Sequence, residues 1–475
     1  MGLPRAEYPR PQFERMDWRN LNGTWSYTFD FGKSGMERGF ASCGGFDGQI
    51  VVPFCPESEL SGVGHTDFIE VMWYHRKIEI PPEWEGKRIL LHFGGVDYES
   101  EIFIDGKPAG RHWGGAVSFC HDVSSFVEPG GVHNLVVYVR DDTRSGVQPG
   151  GKQNPEYRFV RKRCHYTRTT GIWQTVWLEA VHRAGVKDCQ IIADFDRGRL
   201  IIIPRFHSLR RGTTFSATVL DREQRVAEES MPAVDGIPLT LGLKDFKPWH
   251  PDSPFLYDLK LEVCDEDKKV LDRVSSYAGM RKVHVEGNEF FLNNRPIYQR
   301  LVLDQGFYPD GVWTAPSDEA LRRDIDLAQA AGFNGARLHQ KVFEERFHYW
   351  ADKLGYLTWG EFPSWGAHVT DEVSARNFLS EWNEMLVRDR NHPSIITWTP
   401  LNETRFITAD PRQHARFHAD LYNLTRALDT TRPVHDTSGY IHVRPDLWPY
   451  RSIHAGGGMS TARRVTHINE EFEWR

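Results

Sequence analysis

The sequence has no Cys-x-x-Cys pair and no block of Lys and Arg. Its six cysteines (Cys43, Cys55, Cys120, Cys164, Cys189 and Cys264) are scattered. That spacing predicts free thiols in a reducing compartment and excludes a disulfide frame or a zinc site. The net charge is -7, with acids and bases interspersed, so there is no electrostatic footprint for nucleic acid or an anionic membrane. An apolar run of about eighteen residues, the minimum for a spanning helix, is also missing. The opening Met1–Arg10 stretch lacks the apolar centre of a signal peptide. A cytoplasmic protein with no nucleic-acid or membrane partner is expected.

Aromatics, by contrast, are abundant. They make up 13% of the chain and include 16 Trp. Large β-sheet cores use such residues for packing. Aromatic faces also match the C–H face of a pyranose, so a few of the tryptophans are candidates for sugar stacking. At 475 residues the chain is long enough for about three domains, and its periodicity divides it into three. Residues 1–182 alternate apolar and polar positions in short runs, such as Arg88-Ile89-Leu90-Leu91-His92-Phe93, separated by turn pairs such as Asp105-Gly106. This predicts an all-β sandwich or jelly roll. Residues 183–281 carry runs such as Tyr257-Asp258-Leu259-Lys260-Leu261-Glu262-Val263, in a length suited to an immunoglobulin-like sandwich. From 282 to 475, strands alternate with helices, as in a (β/α)8 TIM barrel. Helices are expected to start at the capping signals Ser317-Asp318-Glu319 and Thr370-Asp371-Glu372. The expected strands are Ile297–Leu303, Gly335–Leu338, Tyr356–Trp359, Ile395–Trp398 and Pro433–His435.

Chemistry in such a barrel sits at the C-terminal strand ends. Those ends carry Arg337 and His339, Glu361, Asn402 and Glu403, and His435-Asp436. Polar groups therefore converge on one rim, as a polar substrate requires. An Asn-Glu pair there suits glycoside cleavage: the Glu protonates a leaving oxygen and later activates water, while the Asn binds the sugar 2-hydroxyl. Trp359 and Trp398 are expected to pack the barrel interior, and Trp365, in the loop after the third strand, is the better stacking candidate.

The run Arg390-Asn391-His392-Pro393-Ser394-Ile395-Ile396-Thr397-Trp398 followed by Asn402-Glu403 closely resembles the acid/base signature of glycoside hydrolase family 2, which contains β-galactosidases, β-glucuronidases and β-mannosidases. Thr169–Glu179, Trp249–Tyr257, Phe291–Ile297 and Asn334–His339 agree in order and spacing, so that the match spans about residues 15–447. The resemblance implies a sugar-binding jelly roll, an immunoglobulin-like middle domain and a TIM barrel. It implies a retaining mechanism with two carboxylates roughly 5 Å apart, in which Glu403 is the acid/base and Asn402 the 2-hydroxyl contact. Arg337 is then either a subsite residue or a structural ion pair, and His339 either a substrate contact or a structural imidazole. Glu361 could orient Glu403 or the sugar, though a structural role suits it better. A loop of the first sandwich, Arg140-Asp141-Asp142-Thr143-Arg144 with Gly150-Gly151-Lys152-Gln153, should reach the site, and either Asp141 or Asp142 would bind sugar hydroxyls.

The family nucleophile, a Glu followed by an aromatic residue and Gly near the seventh strand, has no good counterpart. Only about five strands are legible, and the tail 449–475 has neither strand pattern nor amphipathic helix. Glu471-Phe472 is the one candidate, with Glu473 where Gly is expected. The expected function is an exo-acting retaining β-glycosidase, β-galactosidase-like, that hydrolyses terminal β-linked sugars, in a C-terminally truncated form whose nucleophile is not encoded. A β-glucuronidase is the rival, and a non-catalytic carbohydrate-binding protein is the alternative from another class. Carbohydrate is the expected partner; no cofactor is expected, no His/Asp cluster compels a metal, and homo-oligomerisation is implied by analogy alone.

Overall fold

The structure is a computed structural model that describes residues 2–156, 158, 164–287, 289–403 and 410–438. The first sandwich faces a six-stranded antiparallel sheet against a four-stranded one. The larger runs in the order Gly48–Val52, Gly23–Phe29, Val71–Glu79, Val132–Arg140, Glu99–Ile104, Lys107–Trp113. The smaller runs Trp18–Asn20, Val176–Val181, Arg88–Phe93, Phe119–Asp122. Trp25, Tyr74, Leu91, Phe93 and Val137 fill the space between them.

The second sandwich packs a three-stranded sheet on a four-stranded one. Alternation does the sorting here, as in Tyr257–Cys264. Tyr257, Leu259, Leu261 and Val263 are buried, whereas Asp258 and Lys260 are exposed. A buried cluster of charge joins the two sandwiches: Arg15 pairs with Asp272 at 2.9 Å and with Glu179 at 3.2 Å.

Four parallel strands follow: β1 (Leu301–Asp304), β2 (Gly335–Leu338), β3 (Leu357–Glu361) and β4 (Ile395–Thr399). Between and after them run α1 (Asp318–Ala330), α2 (Glu345–Leu354), α3 (Glu372–Asp389) and α4 (Pro411–Leu428). Two helices begin where the capping signals place them. Ser317 accepts the Ala320 N–H, and Asp371 accepts the Ser374 N–H, bonds worth about 1 kcal/mol each. On α3, Phe378, Trp382, Met385 and Leu386 make one buried stripe. The first strand starts later than expected because Ile297 is still held by the hairpin Val283–Glu286/Glu289–Leu292: its N–H donates to Phe290 O at 2.9 Å and continues the pairing of Arg295–Pro296. This hairpin and Trp249 pack with Leu301, Leu357, Trp359 and Ile396. They close the N-terminal side of the strands and leave the opposite rim for chemistry.

Trp359 packs inward as expected, but Trp398 does not. It lies against Trp382 of α3 in the strand–helix layer, and its Nε1 donates to Asp429 at 2.8 Å. The expected fifth strand is reduced to two parallel bridges, Trp398 with Val434 and Asn402 with Ser438. Among the described residues, no helix is long and apolar enough to cross a membrane.

Candidate active site

Pro400 has no N–H and ends β4's ladder. Asn402 and Glu403 then form a tight turn, with Glu403 at φ +52°. The segment beyond α4 holds this turn. Glu403 N donates to Ser438 O at 2.7 Å, and Ser438 N donates to Leu401 O at 2.9 Å. The turn presents Glu403 and Asn402 to a cleft of about 800 Å³, also lined by Trp365, His368, Gln153 and His165.

Beneath the cleft lies a buried network. Arg337 donates from Nε to Glu361 at 2.7 Å and from its terminal nitrogen to Asn402 Oδ1 at 2.7 Å. A guanidinium only donates, so this contact fixes which end of the Asn402 amide is oxygen. Asn402 Nδ2 is left without an acceptor among the described residues, and a ligand hydroxyl in the cleft would supply one. Burial opposes ionisation of Glu361, but Arg337 and His339 outweigh it and hold the carboxyl at about 2. His339 Nδ1 is 3.0 Å from Glu361 Oε1. Arg337 and His339 are both buried below the floor instead of lining the cleft. Arg337 therefore takes the ion-pair alternative of the two that its position left open.

Gln340, which sequence reasoning did not single out, is the node of this floor. It is fully buried with φ +56°. Its N–H reaches Glu361 at 3.1 Å, its Nε2 donates to Ser364 Oγ at 2.9 Å, and its Oε1 accepts the Trp365 N–H at 3.0 Å. Ser364 Oγ in turn accepts the Asn402 N–H at 3.2 Å. Three strand ends are thereby tied through one amide side chain.

The loop of the first sandwich does reach the rim. Gly150 N and Gly151 N donate to Trp365 O at 2.7 and 3.0 Å. A side chain at Gly151 would meet Gln340 O at 2.4 Å, and its φ is +59°, so only glycine fits this approach. Trp365 is half-buried, with Lys152 Nζ 3.6 Å from the ring centroid, so one indole face already carries an ammonium. Asp141 and Asp142 stand apart from the Glu403 cleft, against the expectation that one of them would contact sugar there. Asp141 is fully buried and accepts Gln148 Nε2 at 2.7 Å and Thr170 Oγ1 at 3.0 Å. Burial pushes its carboxyl up to about 6, and it anchors the loop from inside. Asp142 faces a second cleft. His165, His368 and His414 join the lining from three different segments, a convergence with no local signal in the sequence.

The carboxylates lining the cleft among the described residues are Glu403 and Asp371, and Asp371 caps α3. Glu471 and the tail 449–475 lie outside the described residues. No group of three or more His, Cys, Asp or Glu able to hold a metal occurs among those described.

Two family models match, "Glycosyl hydrolases family 2" over residues 209–281 and "Glycosyl hydrolases family 2, TIM barrel domain" over 283–447. The chain belongs to glycoside hydrolase family 2. Its relatives within the family include a β-galactosidase of Thermoanaerobacter pseudethanolicus, 26% identical over 397 residues, covering 80% of this chain and 49% of the relative. Another is a β-glucuronidase of Paenibacillus borealis, 22% identical over 450 residues, covering 90% and 74%. The chain spans about half the length of the first of these. Among solved structures, a Ruminococcus gnavus β-glucuronidase in complex with D-glucuronic acid superposes with a TM-score of 0.78 at 22% identity, covering 91% of this chain and 74% of that one. That likeness shows the family 2 fold, jelly roll and sandwich leading into barrel.

Proposed function

We propose that this family 2 chain acts as an exo-acting retaining β-glycosidase, with Glu403 as general acid and then general base. The observation that carries the reading is the Asn402-Glu403 turn, aimed into the cleft at a barrel strand end with its amide locked by Arg337. In the first step Glu403 gives its proton to the glycosidic oxygen; in the second it takes one from water. Asn402 Nδ2 donates to the sugar 2-hydroxyl, a bond that tightens as charge develops at the anomeric carbon. Trp365 lines the sugar's path, while Arg337, Glu361 and Gln340 hold the reacting turn in place. The nucleophile of a retaining mechanism must stand roughly 5 Å from Glu403 across the sugar, and this role is assigned to no described residue.

A terminal β-galactoside is the first choice of substrate. A β-glucuronide has equal support from the relatives' names. Hydrolysis of nitrophenyl β-galactoside and β-glucuronide by the 475-residue chain decides between them. Glu403→Gln should lower the turnover of the preferred glycoside by about 10²–10⁴-fold. Undiminished turnover in Glu403→Gln would refute the assignment. A chain that binds the sugar without cleaving it, and loses affinity in Asn402→Ala, would instead be a carbohydrate-binding protein.

A further inference from the structure

The second cleft, about 570 Å³, lies at the joint between the first sandwich and α3. Its lip is the edge strand Lys107–Trp113, where Trp113 is 44% exposed and Arg111 packs over its ring at 4.8 Å. Asn377 and Ser380 of α3 face it. At the floor are two buried side chains, Tyr98 and His112.

His112 is stacked on Phe119 with ring centroids 4.0 Å apart, and its Nε2 is 3.1 Å from Glu384 Oε2. A carboxylate only accepts, so Nε2 carries the proton in the neutral ring and Nδ1 is left as an acceptor. Nδ1 has no partner among the described residues. Tyr98 Oη lies against the buried Glu381 carboxyl, which occupies it. An orphaned buried polar atom costs about 1–3 kcal/mol, so the His112 nitrogen calls for a ligand or water that satisfies it.

Charge narrows the ligand. Arg111 is paired with Glu99 at 2.8 Å, Arg140 with Glu70 at 3.1 Å and His112 with Glu384. Apart from Arg376 at the outer rim, the cations are neutralised locally, and no concentrated field draws a polyanion. What remains is an exposed indole and, lining the same cleft, a ring nitrogen that seeks a hydroxyl. That combination suits a neutral polyhydroxylated ring with one apolar face.

We propose that this cleft is a second carbohydrate site, which holds a remote unit of a longer glycan. The sugar's C–H face lies on Trp113 and one hydroxyl donates to His112 Nδ1. One loop separates this site from the acid/base cleft. Asp142, Ser145 and Val147 face the second cleft, while Thr143, Gly150 and Gly151 face the first. The inference rests on the carbohydrate reading of the Glu403 cleft and extends the substrate class from small glycosides to oligosaccharides.

The test uses the full chain carrying Glu403→Gln on a printed array of neutral plant and animal oligosaccharides, followed by titration of those bound. Adding Trp113→Ala should weaken oligosaccharide binding at least tenfold, and Trp113→Phe should retain most of it. Trp113→Ala alone should leave nitrophenyl glycoside hydrolysis and the melting temperature unchanged. Binding insensitive to Trp113→Ala, or an array that captures nothing, overturns the proposal. Trp113-dependent binding in a chain whose hydrolysis ignores Glu403→Gln would retain the second site and reject the catalytic assignment, so the two failures are distinguishable.

Discussion

Replacing Glu361 by Gln keeps the shape of the side chain and removes the charge that the floor is built around. The carboxylate accepts from Arg337 Nε on one oxygen and from Gln340 N on the other. An amide has one acceptor, so in the variant one of those donors faces an NH₂ group. The magnitude follows from the carboxyl's own titration. A fall from the ordinary 4.5 to about 2, at about 1.36 kcal/mol per pH unit, corresponds to about 3 kcal/mol of native-state stability. Glu361 is fully buried, so solvent screening does not dilute it. The sign is set by the unfolded chain, which takes up its proton near 4.5 while the folded chain resists until about 2. The contribution is complete above pH 4.5 and is lost as pH falls towards 2. Urea unfolding of wild type and Glu361→Gln, followed by tryptophan fluorescence, should give a gap of about 3 kcal/mol at pH 7 that closes through this window. Hydrogen exchange in β2 and β3 should locate the weakening. A gap below about 1 kcal/mol at pH 7, or one of equal size at pH 7 and pH 2.5, would refute the account of the floor as a charged pair.

Glu381 runs the opposite way. Burial raises its carboxyl to about 8, so the folded chain keeps a proton that the unfolded chain gives up near 4.5, and stability falls as pH rises between those values. Glu381→Gln should therefore be more stable than wild type at pH 8, by about 4 kcal/mol, with the difference vanishing below pH 4.5 in the same unfolding assay. Gln340→Ala removes three side-chain hydrogen bonds and should cost about 2–3 kcal/mol, with kcat falling more than KM rises. Gln340→Gly loses the same bonds but is free of strain at φ +56°, and should recover about 1 kcal/mol relative to Ala.

The Asn402-Glu403 turn was legible because its signal is local and long: His392-Pro393 leads into β4, and Asn402-Glu403 follows it. The helices α1 and α3 were legible from Ser317 and Asp371, whose side chains cap them. α2 had no such mark, since Glu344 makes no side-chain cap. α4 did carry one, because Asp410 caps it ahead of Pro411 at the first helical position, a pattern visible in the sequence. Trp398 was misplaced because a continuous buried strand hides which way each side chain points; β4 is buried on both faces. The roles of Asp141 and Gln340 depended on partners distant in the chain, Thr170 elsewhere in the same sandwich and Ser364 beyond another strand end. Spacing along the chain carries no trace of those contacts.

The segment after α4 shows why a short stretch of chain can matter more than its secondary structure suggests. Glu403 occupies the left-handed region at φ +52°, which costs a non-glycine residue about 1–3 kcal/mol and persists only where its surroundings over-determine it. Three constraints meet there. Ser438 O takes the Glu403 N–H, Ser438 N reaches back to Leu401 O, and Ser364 Oγ takes the Asn402 N–H. Two of the three come from Ser438, which forms no regular strand. The bridges at Val434 and Ser438 thus act as a template for the Asn402-Glu403 turn. Upstream, His435 N donates to Trp398 O at 2.8 Å and keeps that template in register with β4. The geometry of Glu403 is therefore set by the fifth segment as much as by the strand that carries it.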